Sequence, residues 1–275
     1  MSIGVFDSGL GGLTILRVLR RALPNQSFLY FGDNAHTPYG DKSREEVQRL
    51  TRLAVERMFA EGCDLVILAC NTASALALRD LQDGLPSSQK RRVLGVFVPM
   101  IEAVSGARWV RAPQGRDAAP AGRRRIVFFA TPATVASGSF GEELQKRLHD
   151  AEQVSQPCPT LVAELERGDE AAARASVAAA CAAALEKFAA TPDAAVLGCT
   201  HYPLAYDAFR ASLPPETEIL SQPDITAASL ARYLERHPEF EDTEGALRCL
   251  TSGDPVLVGE LATLFYRQPL SFDAA

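Results

Sequence analysis

Every apolar stretch of this 275-residue chain meets a charge or a glycine well before the ~20 residues that a transmembrane helix needs, so no membrane span is expected. The first predicted strand opens at Ile3, which leaves no room for a secretory signal. The six cysteines (63, 70, 158, 181, 199, 249) include no CxxC pair and no zinc-ligand spacing. A disulfide scaffold and a zinc site are therefore excluded, and a reducing cytoplasm is the expected compartment. Neither GxGxxG nor a Walker sequence occurs, so the glycines Gly9, Gly11 and Gly12 do not announce a nucleotide. A net charge of −6 argues against polyanion partners. The arginine-rich stretch 111–125 (RAPQGRDAAPAGRRR) lacks the interleaved aromatics of a nucleic-acid surface and reads as a solvated loop leading into a second sheet. What remains is a chain, 47% hydrophobic, suited to a substantial core and a small-molecule partner.

Short apolar runs at 3–6, 28–31, 65–69, 93–98, 126–130, 194–197 and 247–251 alternate with helical stretches. This alternation, with most runs largely apolar, is the pattern of a parallel α/β sheet covered on both faces. One helix is expected over 44–61, opened by Ser43 with Glu46 as a capping box and closed by Gly62. A second, rich in alanine, covers 169–190 with Cys181 packed inside it. A third starts at Asp254-Pro255 and reaches about Tyr266.

The chain echoes itself. VILACNTAS (66–74) and AVLGCTHYPL (195–204) each run an apolar strand into a small residue, a cysteine and a polar pair. IGVFDSGLGG (3–12) and IVFFATPATVASG (126–138) form a second pair. The expectation is two pseudo-symmetric parallel-sheet α/β domains, residues 1–97 with 207–275 and residues 98–206, with the active site in the cleft between them. Ligands of such sheets bind beyond the carboxyl ends of the strands, where Cys70 and Cys199 both fall. A helix starting just after each cysteine would stabilise a thiolate there. A lone buried cysteine is usually a packed residue, the reading kept for Cys63, Cys158, Cys181 and Cys249. Two at equivalent places, followed by Asn71-Thr72 and by Thr200-His201, point to chemistry instead. Inverting a carbon centre takes one group to remove a proton from one face and another to deliver one to the opposite face, and two matched thiols meet that need. Asp7, in a glycine-rich turn, can assist Cys70, bind a substrate ammonium or simply cap a turn. His201 can relay a proton near Cys199, and Tyr39 in GDNAHTPYG can meet a ligand through its ring or its amide.

Together these motifs resemble the glutamate racemases of bacterial cell-wall synthesis. GVFDSGLGG, YFGDNAHTPYG, ILACNTASA, TPATVASGSF, CPTLVAELERG, LGCTHYPL and LTSGD occur in the family's order over nearly the whole chain. The resemblance implies an isomerase that works without cofactor or metal and supplies D-glutamate for peptidoglycan, and so for cell-wall biogenesis and cell shape. It makes Cys70 and Cys199 the acid–bases, with Asp7 assisting the first and His201 the second. It assigns Asp7, Ser8, Tyr39, Gly40, Asn71, Thr72, Thr131, Thr134, Thr200 and His201 to the substrate, many of them through backbone amides. The family's further acid aligns with Glu166. Glu164, where the family usually carries an apolar residue, is the alternative. Aspartate-specific relatives tend to carry glutamate in place of His201, so glutamate is the expected substrate. Phe140 stands where many relatives have tyrosine, and no hydroxyl contact is expected there. Relatives are commonly homodimers, in differing arrangements. Activation by a cell-wall precursor bound at an N-terminal extension is not expected.

Overall fold

The computed structural model describes residues 1–86, 90–106 and 124–275. Strands run in chain order as β1 (Ile3–Asp7), β2 (Phe28–Gly32), β3 (Leu65–Leu68), β4 (Arg92–Gly95), β5 (Arg125–Ala130), β6 (Glu152–Pro157), β7 (Ala194–Gly198), β8 (Glu218–Leu220), β9 (Leu247–Thr251) and β10 (Asp273–Ala274). They form two sheets, β10-β9-β2-β1-β3-β4 and β6-β5-β7-β8, and the pairings within both are parallel. The inner strands β1, β2, β3 and β7 are buried along their whole length, as uninterrupted apolar runs require when helices lie on both faces.

The two sheets share a plan. In the first, β1 lies between β2 and β3, and β4 follows β3; in the second, β5 lies between β6 and β7, and β8 follows β7. The internal echo of the sequence is therefore an echo of strand order. The C-terminal segment extends the first sheet, since β9 pairs with β2 and β10 with β9.

The chain divides into two compact units, Met1–Val96 with Pro223–Ala275, and Phe97–Gln222. Expectation had the chain return to the first unit at 207; it returns at Pro223. The segment between stays with the second unit because the helix Tyr206–Ser212 packs on the helix Glu170–Leu185 and β8 pairs with β7. All seven expected strands form. The run 93–98 stops as a strand at Gly95, since Val96 N–H donates to Ser74 Oγ and Phe97 opens a helix, Phe97–Ser105. β6, β8 and β10 were not foreseen. Each lies at a sheet edge or is very short, and EQVSQP carries no apolar run.

The helix Arg44–Ala60 opens with Ser43 Oγ accepting from Glu46 N at 3.2 Å, and Gly62 beyond its end takes a φ of 89°. The helix Glu170–Leu185 starts on Asp169, ends five residues before the expected 190, and buries Cys181. The helix Pro255–Tyr266 starts on Asp254, whose Oδ1 accepts from Val256 N and Leu257 N at 2.9 and 3.1 Å. The loop expected over 111–125 lies outside the described residues except at its end, where Arg125 opens β5. Among the described residues no helix is long and apolar enough to cross a membrane.

Gly198, the last residue of β7, shows how tightly the second unit is packed. A Cβ there would stand 2.1 Å from Phe128 Cε2 and 3.0 Å from the carbonyl oxygen of Phe129. Phe128 cannot step aside, because Phe140 stacks on it at 4.0 Å and Phe97 meets it edge-on at 6.0 Å. Gly198→Ala is expected to destabilise the protein by about 1–3 kcal/mol, read from the urea midpoint at unchanged slope.

Candidate active site

Parallel strands bring their carboxyl ends to one edge, so the residues that follow them become neighbours. In the first unit Phe6 of β1 pairs with Leu68 of β3. Two residues further on in each strand, Ser8 Oγ lies 3.3 Å from Cys70 Sγ. Between them on the first strand Asp7 is fully buried, its Oδ1 accepting from Gly9 N at 2.9 Å. Cys70 caps the helix Asn71–Leu76, and its Sγ accepts from Ala73 N at 3.4 Å. Asn71 and Thr72 are buried in the first turn of that helix.

Tyr39 and Gly40 lie in a 3-10 turn, Tyr39–Asp41. The Tyr39 hydroxyl donates to Asp33 Oδ2 at 2.6 Å, and its ring packs near Phe6. Burial first, then the hydrogen bond and charge of Asp33, hold this phenol protonated far above the ordinary tyrosine range. The hydroxyl is thus occupied inside the protein. Asp33 was not singled out from the sequence. Its Oδ1 also accepts from Ser252 Oγ at 2.6 Å and meets His36 Nδ1 at 2.8 Å, while Thr251 Oγ1 donates to Asn34 Oδ1 at 2.9 Å. The available signal was that Asp33 and Ser252 both sit inside conspicuous motifs, GDNAHTPYG and LTSGD.

In the second unit Ala130 of β5 pairs with Gly198 of β7, so Thr131 and Cys199 follow adjacent strand ends. Thr131 caps the helix Pro132–Ala136, its Oγ1 lying 2.9 Å from Thr134 Oγ1 and accepting from Thr134 N at 3.4 Å. The helix expected directly after Cys199 does not form. Tyr202 N donates to Cys199 O at 3.1 Å, a 3-10 turn occupies Tyr202–Ala205 with Pro203 inside it, and an α-helix begins only at Tyr206. Cys199 instead has an imidazole: its Sγ lies 3.8 Å from His201 Nδ1, and His201 Nε2 lies 2.9 Å from Glu166 Oε1. Thr200 is buried between them in sequence. Glu164 is turned elsewhere, its Oε1 accepting from Ser176 Oγ at 2.8 Å. Of the two glutamates, only Glu166 meets the His201 side chain.

His201 is buried, and burial is the strongest influence on it, opposing the charged form. The hydrogen bonds to Cys199 and Glu166, with the charges of both, overcome burial and raise its pKa to about 10. The shift favours the imidazolium, whose two N–H groups can point one to the sulfur and one to the carboxylate. The cysteines read as packing residues are of another kind. Burial pushes Cys63, Cys158, Cys181 and Cys249 up to about 12, so they stay protonated and inert. Phe140 spends its ring on Phe128 and Phe97. No group of three or more His, Cys, Asp or Glu able to hold a metal ion occurs among the described residues.

No protein-family model matches the chain. A glutamate racemase of Paracoccus denitrificans is 48% identical over 276 residues, covering all of both chains. Among solved structures, the Francisella tularensis glutamate racemase in complex with D-glutamate superposes with a TM-score of 0.84 at 25% identity, covering 100% of this chain and 96% of that one. The Thermus thermophilus glutamate racemase in complex with beta-chloro-D-alanine gives 0.81 at 33% identity, covering 100% and 96%. Both solved structures are of amino-acid racemases. On full-length identity of this order, the chain belongs to the glutamate racemase family.

The imidazolium has a consequence for stability. His201 is raised from 6.5 to about 10 on folding, so its stabilisation is complete below about pH 6.5 and is lost as pH climbs toward 10. Between pH 6.5 and 8.5, below the range where the four buried thiols begin to contribute in the same direction, the unfolding midpoint of the native protein should fall more steeply than that of His201→Gln. Parallel pH profiles for the two proteins would overturn the assignment.

Proposed function

We propose that this chain interconverts L- and D-glutamate without a cofactor, with Cys70 and Cys199 as acid–bases on opposite faces of the substrate Cα. The observation that carries the reading is the repeated one: in a member of the glutamate racemase family, each of two sheets of like strand order ends an inner strand in a cysteine beside polar groups. The product serves peptidoglycan synthesis, and the enzyme acts in the cytoplasm as a homodimer.

The two thiols are served by different devices. His201 Nδ1 faces the Cys199 sulfur, and Glu166 holds the ring in place and supports its charge. Cys70 has neutral neighbours instead, the Ser8 hydroxyl at 3.3 Å and the Ala73 amide, which donates to the sulfur. Cys199 takes the Cα proton from L-glutamate while the Cys70 thiol delivers one to the other face, and the roles exchange for D-glutamate. Asp7 assists Cys70. Backbone amides around Ser8, Gly40, Asn71, Thr72 and Thr200, with the hydroxyls of Thr131 and Thr134, hold the carboxylates and the ammonium.

The direct test is chiral chromatography after incubation with L-glutamate, L-aspartate or a substituted malonate. Inversion of glutamate alone is expected, and it should survive dialysis against chelator and hydroxylamine. Decarboxylation of the malonate, or inversion only of aspartate, would reject the reading. Replacing either Cys70 or Cys199 with alanine should stop inversion in both directions, since each direction uses one base and one acid.

In deuterated water, early product from either enantiomer should carry deuterium at Cα while unreacted substrate keeps hydrogen, because the delivering thiol has exchanged with solvent. Appreciable original hydrogen in the inverted product would point to one swinging base. His201→Ala should lower turnover by about 10²–10⁴-fold in a folded protein. Asp7→Asn should slow most the direction in which Cys70 removes the proton, as initial rates from D- and L-glutamate would read out.

A further inference from the structure

The last helix, Pro255–Tyr266, buries Val258, Ala262, Phe265 and Tyr266 against its own unit and turns an apolar stripe to the outside. Val256 is 73% exposed, Leu257 56%, Leu261 45% and Leu264 37%. Four of the seven exposed large hydrophobic side chains among the described residues thus share one helix, and such clustering marks an interaction surface. Nothing of the proposed catalytic machinery lies on this helix.

The stripe has an internal order. Positions 254, 257, 261, 264 and 267 follow one another at helical three- and four-residue spacing. Asp254 stands at one end, Arg267 at the other, and Leu257, Leu261 and Leu264 lie between. The midpoint of 254 and 267 is also the midpoint of 257 and 264, and falls between Glu260 and Leu261. About that point Leu257 and Leu264 exchange places and the end charges are opposite, while Leu261 and the exposed Glu260 stand on either side of it.

The basic end is crowded with cations. The neighbouring helix, Leu13–Ala22, packs on Pro255–Tyr266 and brings Arg17 and Arg21. As a cation Arg17 is disfavoured first by burial and then by Arg267 and Arg21, with Asp224 opposing. Asp224 itself pairs with Arg21 at 3.2 Å. A fitting occupant is therefore apolar in its middle and acidic where this surface is basic.

We propose that the occupant is a second copy of this chain, its Pro255–Tyr266 helix running antiparallel to the first across a two-fold axis. Leu257 of each copy then faces Leu264 of the other, each Leu261 lies beside the axis against the stem of the other copy's Glu260, and Asp254 of each faces Arg267 of the other. That arrangement is the self-complementarity an isologous interface requires. The helix is only ~18 Å long, and a stable interface buries roughly 800 Å² per partner. The arginines of Leu13–Ala22 accordingly belong to the contact as its polar rim. The proposal takes its stoichiometry from the homodimer reading above and adds the face and its register.

Sedimentation velocity on the full-length protein tests both. The native protein is expected to be a dimer, and Leu261→Arg a monomer with unchanged circular dichroism. Arg267→Glu sets like charges against each other and should weaken the dimer by at least about tenfold, whereas Arg267→Glu combined with Asp254→Arg should recover it. Leu261→Cys oxidised with diamide should run as a covalent dimer on a non-reducing gel, which the native protein does not form. A native protein that remains a monomer at high micromolar concentration overturns the proposal together with the homodimer. A dimer that survives Leu261→Arg and Arg267→Glu, and does not cross-link through Leu261→Cys, overturns the face while leaving the homodimer standing.

Discussion

Parallel strands deliver all their carboxyl ends to one rim, and the candidate site of each unit is built on that rim. Phe6 pairs with Leu68 and Ala130 with Gly198, so whatever follows these four residues must meet. The chain places Asp7, Ser8 and Cys70 after one pair, and Thr131 and Cys199 after the other. Small side chains at these points let the strands close up. Gly198, with no room for a Cβ against Phe128, is the extreme case. A larger residue there would move the sulfur next to it as well as strain the core.

The two rims give their cysteines different electrostatic settings. Cys70 has a hydroxyl and a helix amide for neighbours, while Cys199 has an imidazolium backed by a carboxylate. Four other cysteines in the same chain are pushed up to about 12, chiefly by burial. All six cysteines are buried, so burial does not tell the two candidates from the other four; their places after inner strand ends do. A matched acid–base pair does not require matched surroundings; it requires that each setting favour the thiolate to a similar degree.

Much of this was legible in the amino-acid order, for a physical reason. Strands buried on both faces must be apolar throughout, and IGVFD, FLYFG, LVIL and AAVLG stand out against any background. The cysteines were legible because they repeat at equivalent strand ends. Edge strands answer to a weaker demand, and EQVSQP at β6 carries no such signature. Missing β8 is what moved the expected return of the chain from Pro223 to 207. The helix expected after Cys199 gave way to a 3-10 turn around Pro203. Asp33 escaped notice because its partner Ser252 is 219 residues away, and no local pattern encodes such a contact. Likewise Glu164 and Glu166 differ only in which way the helix Leu161–Glu166 turns each of them.

The first unit is discontinuous, and its last strands come late. β9 closes the open side of β2, and Thr251 and Ser252 at its end tie down Asn34 and Asp33, the latter of which holds the Tyr39 hydroxyl. During synthesis the ribosome finishes the whole segment Phe97–Gln222 before β9 exists. A nascent chain therefore carries both cysteines, and a complete second sheet, while the loop around Tyr39 is still without its anchor. The order of translation thus delivers both cysteines before the segment that anchors Asp33 and, through it, Tyr39.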